Sequence, residues 1–318
     1  MLLQWLTTTF LPMEKWPWKH NIIWLYIFTF RSLAFHQLLL SFMACFLLLL
    51  HIFLFHFPSF SSSSLNFSCH HEESSALLNF KSSFTIVNTL IYDGCDESFL
   101  QTATWRNGTD CCSWHGVTCD TKSGHVTGLN LHCEGLQGIL HPNSTLFHLV
   151  HLQTLDLSYN NFFPSLFHSK FGGFQNLTQL DLSRCMFKGE ISTQISHLSK
   201  LQSLDLSWNL LVWKETTLKR LVQNATNLRE LFFEESDMSS IRPNSIPLLF
   251  NQSSSLVTLT LKSTGLSGNL KRSLPCLPSI QELDMSDNSY LQGQLPELSC
   301  STSLRILDFS DCYNEEIM

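Results

Sequence analysis

The sequence predicts an α/β solenoid, a stack of about eight leucine-rich coils whose short parallel strands line one concave face, closed at the N-terminal end by a disulfide-bonded helical cap. Three observations carry this. The segment Leu152-Gln-Thr-Leu155-Asp-Leu157-Ser-Tyr-Asn160 recurs along the chain. The first leucines of its LxL units, Leu129, Leu155, Leu180, Leu204, Leu231, Leu259, Leu283 and Leu307, are spaced by 26, 25, 24, 27, 28, 24 and 24 residues, inside the range of roughly 20 to 29 residues of a leucine-rich repeat. A cysteine- and tryptophan-rich block stands immediately before the first coil, where a stacked array needs its apolar end covered.

A repeat array is quasi-one-dimensional, so the 318 residues count coils rather than globules. Residues 1–64 read as an N-terminal extension and signal peptide, 65–125 as the cap and 126–318 as the repeats. Charged residues make up only 14% of the chain and the formal net charge is -7, with no basic cluster. Nucleic acid is therefore not an implied partner.

The N-terminal stretch contains an apolar run from about Leu33 to Phe57, with Arg31 before it and the serine-rich Ser59–Ser64 after it. Charge, apolar heart and small-residue exit match a secretory signal peptide. An uncleaved membrane helix is the competing reading, since the run approaches the roughly 20 residues of a bilayer span. Met43 offers a second start, from which Met43-Ala-Cys-Phe-Leu-Leu-Leu-Leu50 opens a compact signal of its own. Six Asn-x-Ser/Thr sequons follow, at Asn66, Asn107, Asn143, Asn176, Asn224 and Asn251, none with proline in the middle. They agree with secretory passage, glycosylation and an environment in which the eleven cysteines form disulfides.

The cap begins with an amphipathic helix over Ser74–Phe84, with Ala76, Leu77, Phe80 and Phe84 at helical spacing and Ser and Glu residues ahead of it. Thr85 to Thr104 shows no period. Next comes Trp105-Arg-Asn-Gly-Thr-Asp-Cys111-Cys112-Ser-Trp114-His-Gly116-Val-Thr-Cys119-Asp120. The spacing of Cys112, His115 and Cys119 also suits two or three zinc ligands, but secretion favours disulfides; no metal and no cofactor is expected.

Each coil's leucines point inward. Asn160, Asn209 and Asn288 fall where an asparagine side chain satisfies backbone groups in the turn after the strand, and Cys185 and Cys312 take the same slot as small core residues. Cys276 and Cys300 lie 24 residues apart, at equivalent places in successive coils, a spacing compatible with a disulfide. The second half of the coil repeats as Leu136-Gln-Gly-Ile139, Phe187-Lys-Gly-Glu-Ile191, Leu266-Ser-Gly-Asn-Leu270 and Leu291-Gln-Gly-Gln-Leu-Pro296. The coils of Leu204 and Leu231 depart from it and are the long ones, so their extra residues should bulge on the convex face or an edge.

Together, Ala76-Leu-Leu-x-Phe-Lys81, Trp105, the CysCysxTrpxGlyValxCys block and repeats written LDLSxN resemble the extracellular region of plant leucine-rich-repeat receptor-like proteins of the disease-resistance type. The resemblance covers residues 65 to 312. It implies plant-type coils, pairing of Cys69 with Cys111 and of Cys112 with Cys119, and a plasma-membrane receptor facing outward. It also implies a peptide, protein or glycan ligand and signalling through a co-receptor or adaptor kinase. Cys95 and Cys133 are a further candidate pair, tethering the cap loop to the first coil. Plant polygalacturonase-inhibiting proteins share the cap and repeat type, so a secreted apoplastic binder is the alternative, and a non-signalling decoy a third. Receptors of this kind continue through more repeats to a membrane helix, so the stop at Met318 reads as a truncated product.

No phosphate-cradling loop, HExxH, nucleophile elbow or kinase set occurs in the sequence, and the fourteen histidines scatter without ligand spacing; no catalytic residue is expected. Asp156, Asp181, Asp205, Asp284 and Asp308 belong to the repeat consensus and read as a solvated structural column. Tyr159, Arg184, Trp208, Glu230, Phe232, Glu234 and Glu235 depart from it, and exposed aromatics with arginine are the usual carriers of binding energy. The expected ligand patch is centred on Trp208 and Phe232.

Overall fold

A computed structural model describes Met43, Ala44, Phe46, Leu47, 68–87, Cys95, 100–242, 255–270, 277–293 and 301–312. The apolar run's signal character, sequons Asn66 and Asn251, and the pair Cys276 and Cys300 fall outside these residues. The chain divides into two units, Met1–Ser64 and Leu65–Met318. In the first, Met43, Ala44, Phe46 and Leu47 are helical and exposed. Among the described residues no helix is long and apolar enough to cross a membrane.

The second unit is the solenoid. Its cap opens with helix α1, His71–Ser82, which buries Glu73, Ala76, Leu77 and Phe80. The helix starts three residues earlier than the apolar spacing alone predicts, with Glu72 and Glu73 in its first turn, where acidic groups complement the helix dipole. Phe84 lies past its end and links the cap to the repeats edge-on: Phe80 to Phe84 at 5.1 Å, Phe84 to Phe162 at 5.3 Å. The stretch without sequence period supplies a two-residue strand β1, Thr85–Ile86, and a 3-10 turn at Gln101–Thr104.

Strand β2, Val117–Cys119, and strand β3, Val126–Asn130, pair antiparallel and start the main sheet. From β3 onward the sheet is parallel, through β5 (Thr154–Asp156), β6 (Gln179–Asp181), β8 (Ser203–Asp205), β10 (Glu230–Phe232), β11 (Thr258–Thr260), β13 (Glu282–Asp284) and β15 (Ile306–Asp308). The register sets Leu129, Leu155, Leu180, Leu204, Leu231, Leu259, Leu283 and Leu307 side by side. All but Leu307 are buried, each burial contributing about 2 kcal/mol. On β15, Ile306 and Leu307 are 51% and 43% exposed.

Between these strands lie the secondary ones, β4 (Leu136–Gln137), β7 (Lys188–Glu190), β9 (Leu210–Val212), β12 (Gly268–Leu270) and β14 (Leu291–Gly293). β1 pairs with β4, β7 with β9 and β12 with β14. β9 keeps this register with Leu211 opposite Gly189, so the coil that lacks the glycine motif still builds the strand. The extra residues of that coil form a regular helix rather than an irregular bulge: α2, Glu215–Asn224, buries Thr217, Leu218, Leu221 and Val222. It packs on the 3-10 turn Thr193–His197 of the preceding coil. Leu218, Leu221 and Val222 share one helix face, which is why ten residues settle as α-helix.

Candidate recognition surface

The turn after each strand repeats one local chemistry. The Oδ1 atoms of Asp156, Asp181, Asp205, Asp284 and Asp308 accept from the amide of the serine two residues on, at 2.8 to 2.9 Å. This Asx-type bond bends the chain out of the strand. The next residue in every coil then adopts a left-handed backbone: Cys133, Tyr159, Arg184, Trp208, Glu235, Ser263, Asp287 and Asp311 have φ of 55°, 56°, 51°, 57°, 57°, 53°, 56° and 55°. Immediately after comes the buried slot. Asn160, Asn209 and Asn288 each donate through Nδ2 to three carbonyls, among them Leu131, Leu182 and Leu261 of the preceding coil, at 2.8 Å. Cys185 and Cys312 place Sγ on the carbonyls of Leu157 and Met285 at 2.9 and 3.1 Å. Burial pushes the Cys185 thiol far above its ordinary range, as suits an inert core residue.

In the first coil the slot holds Glu134, 1% exposed. Its carboxylate accepts from the amides of Gln101 and Thr102 at 2.8 and 2.9 Å and from the Thr102 hydroxyl, fastening the first coil to the cap's 3-10 turn. This role escaped the sequence reading because nothing local distinguishes a buried glutamate from a solvated one.

Of the candidate ligand residues, Glu230 and Phe232 flank Leu231 on β10 and are half-buried. Tyr159, Arg184, Trp208 and Glu235 occupy the left-handed position beyond the strands. Three successive coils bring Tyr159, Arg184 and Trp208 together. The Arg184 guanidinium lies 4.2 Å from the Trp208 ring centre and 5.3 Å from that of Tyr159. His132 meets Tyr159 edge-on at 5.1 Å, and Trp208 Nε1 donates to Glu234 Oε2 at 2.9 Å. The row is continuous from His132 to Glu234, and Trp208 remains 40% exposed. Cation–π contacts of this kind contribute about 0.5 to 2 kcal/mol each.

The aspartate column corrects the expectation of a solvated ladder. Asp156, Asp181 and Asp205 are half-buried and lie side by side in register, with Phe232 opposite Asp205. Burial, then the Asp181 charge, hold the Asp205 carboxyl up at about 7 against the hydrogen bonds of Ser207. Burial chiefly, with Asp156 adding, also raises Asp181. Asp308 goes the other way, lowered by the amide and hydroxyl of Ser310. Neighbouring carboxylates and apolar cover distinguish these otherwise identical consensus positions.

In the cap, disulfides join Cys69 to Cys111, Cys95 to Cys133 and Cys112 to Cys119, with Cα–Cα separations of 5.4, 5.7 and 5.5 Å. Trp105 and Trp114 stack with ring centres 5.3 Å apart. Each indole nitrogen is satisfied, Trp105 by the His115 carbonyl and Trp114 by the Thr109 hydroxyl. Of the sequon asparagines, Asn107, Asn143 and Asn224 are exposed and Asn176 is half-buried.

Residues 70–120 match the family model described as leucine rich repeat N-terminal domain, and residues 150–211 the model described as leucine rich repeat. Receptor-like protein 6 of Arabidopsis thaliana is 40% identical over 252 residues, covering 74% of this chain and 25% of the relative. Receptor-like protein Cf-9 of Solanum pimpinellifolium is 39% identical over 255 residues, 77% of this chain and 29% of the relative. The chain thus spans between a quarter and a third of the length of these relatives. Among solved structures, Pollen Receptor Kinase 3 aligns at a TM-score of 0.47 and 22% identity, over 74% of this chain and 92% of that one.

Proposed function

Because the chain belongs to the leucine-rich-repeat proteins of the plant receptor-like family, we propose that its repeats are the ligand-reading part of a cell-surface receptor. In this reading the row Tyr159, Arg184, Trp208 and Glu234, with Glu230 and Phe232 on the adjoining strand and Glu235 in the turn beyond, takes a peptide or protein segment rich in lysine or arginine. The observation that carries it is the Tyr159–Arg184–Trp208 stack, which ends on the Glu234 carboxylate. Trp208 is 40% exposed and its Nε1 donates to the Glu234 carboxylate, so an incoming cation finds a stacking and an electrostatic partner at that end of the row. The receptor-like relatives support placing this surface outside the plasma membrane, with sequons glycosylated and the signal relayed by a partner kinase.

The test uses the secreted, disulfide-intact chain on an array of short peptides graded from acidic to basic. Basic peptides should be retained, and Trp208→Ala combined with Phe232→Ala should weaken retention by at least about thirtyfold, the loss typical of a binding hot spot. Equal retention of acidic peptides, or an unchanged double variant, overturns the assignment.

A further inference from the structure

Asp156, Ser158, His132 and Cys133 form one continuous line of polar contacts that ends on a disulfide sulfur. The buried Ser158 hydroxyl donates to Asp156 Oδ1 at 2.5 Å. A hydroxyl has one hydrogen to give, so toward the His132 ring, 2.7 Å away, it is the acceptor, and Nδ1 carries the proton. The other ring nitrogen, Nε2, then faces Cys133 Sγ at 3.2 Å, with its lone pair in the neutral ring and with an N–H in the protonated one. Backbone bonds fix both ends of the line. The Ser158 amide donates to Asp156 Oδ1 at 2.9 Å and the His132 amide to Asn130 Oδ1 at 3.0 Å, while Tyr159 holds the imidazole edge-on.

The two sulfurs of this bridge are not equivalent. Cys133 is buried and Cys95 is half-buried, so an incoming nucleophile reaches Cys95 and displaces Cys133. Exchange of this kind is faster when the departing sulfur carries negative charge easily, and an imidazolium beside a sulfur has that effect. Both sulfurs lie within 4.8 Å of the His132 nitrogen, an arrangement that neither of the other two bridges has among the described residues. Asp156, reached through Ser158, is the counter-charge for the protonated ring. Exposure alone ranks the bridges differently, since Cys112 and Cys119 are both half-buried.

We propose that the Cys95–Cys133 bridge is a thiol-exchange site, at which a low-molecular-weight thiol becomes attached to Cys95 while His132 protonates the departing Cys133. The thiolate of the small thiol forms a bond to Cys95 Sγ, the bond between Cys95 and Cys133 breaks, and its electron pair leaves on Cys133 Sγ. That sulfur takes the Nε2 proton of the His132 imidazolium. A second molecule of the same thiol attacks the adduct, leaving Cys95 as a thiol and releasing the small disulfide, so two thiols supply the two electrons that reduce the bridge. Glu134, the next residue, still accepts from the amides of Gln101 and Thr102, so the first coil stays fastened to the cap's 3-10 turn when the bridge opens.

The whole secreted chain, its bridges intact, is incubated with reduced glutathione, quenched at intervals, alkylated and mapped by peptide mass spectrometry. Cys95 and Cys133 should open first, at least about tenfold faster than Cys112 and Cys119, with the glutathione adduct on Cys95 and the alkylated thiol on Cys133. His132→Gln should slow this opening by at least about tenfold and leave the rates of the other two bridges as they are. Should that variant fail to fold, the order of opening and the position of the adduct in the wild-type chain decide. Earlier opening of Cys112 and Cys119, an adduct on Cys133 instead of Cys95, or a folded His132→Gln that opens at the wild-type rate overturns the proposal.

Discussion

Replacing Asp205 with asparagine separates the aspartate column's charge from its turn-forming bond. The substituted amide keeps an oxygen for the Ser207 amide, which Asp205 Oδ1 now holds at 2.9 Å, and removes the charge that burial, Asp181 and Glu234 disfavour. The folded carboxyl titrates at about 7 against a reference of 3.8. At about 1.4 kcal/mol for each tenfold change in proton affinity, that difference amounts to about 4 kcal/mol. Half of this is the reasonable expectation, about 2 kcal/mol, because Asp181 relaxes when its neighbour is neutral. The sign follows from proton linkage. A carboxyl held higher in the folded state than in the unfolded chain contributes stability fully below about 4, and loses it as the pH rises through about 7. Asp205→Asn should therefore raise the denaturation midpoint at pH 8, while the gain shrinks to nothing near pH 4. Denaturant titrations of both proteins across that range, disulfides intact, read the effect. A variant that is destabilised, or whose difference from wild type does not change with pH, refutes the reasoning.

Two further substitutions probe the scaffold. Asn209→Ala strips the partner from the Leu182, Leu206 and Ser207 carbonyls and from the Phe187 amide, and should cost on the order of 3 kcal/mol in chemical denaturation. Asn209→Cys should recover part of that loss, as Cys185 does in the coil before, and equal midpoints for wild type and Asn209→Ala would discount the ladder. At Gly172 an added methyl would stand 2.1 Å from the Gln194 carbonyl oxygen, whereas at Gly173 it meets nothing within 4 Å. Gly172→Ala should thus lower stability by about 2 kcal/mol and Gly173→Ala by less than about 0.5 kcal/mol; thermal melts of the pair compare them directly, and matching melts would remove the steric argument.

The coils were legible because burial of Leu129 through Leu283 ties sequence period to strand spacing. The asparagine slot was legible for the same reason, since one buried amide answers the same backbone groups in each turn. Pairing of Cys69 with Cys111 and of Cys112 with Cys119 came from motif likeness and that of Cys95 with Cys133 from their order along the chain, and the bridges join the same residues. What stayed hidden depends on distance in space alone. Tyr159, Arg184 and Trp208 each departed from consensus, but only the stacking of coils lays the guanidinium between two rings. Asp205 and Asp308 share one motif yet shift in opposite directions, because Phe232 stands opposite the first and β15 carries the second at its exposed edge.

The left-handed turn residue of each coil has a consequence for what this surface can become. Such a backbone costs an L-residue about 1 kcal/mol or more, and it is severe for side chains that branch at Cβ. The eight residues that hold it are Cys133, Tyr159, Arg184, Trp208, Glu235, Ser263, Asp287 and Asp311; valine, isoleucine and threonine are missing. Backbone geometry thus restricts the alphabet in which this row is written. Aromatic, charged and small polar groups can replace one another there at constant spacing and direction, so the row can be rewritten one residue at a time while the coils beneath it stay the same. Branched aliphatic contacts with a ligand have to come from the strands instead.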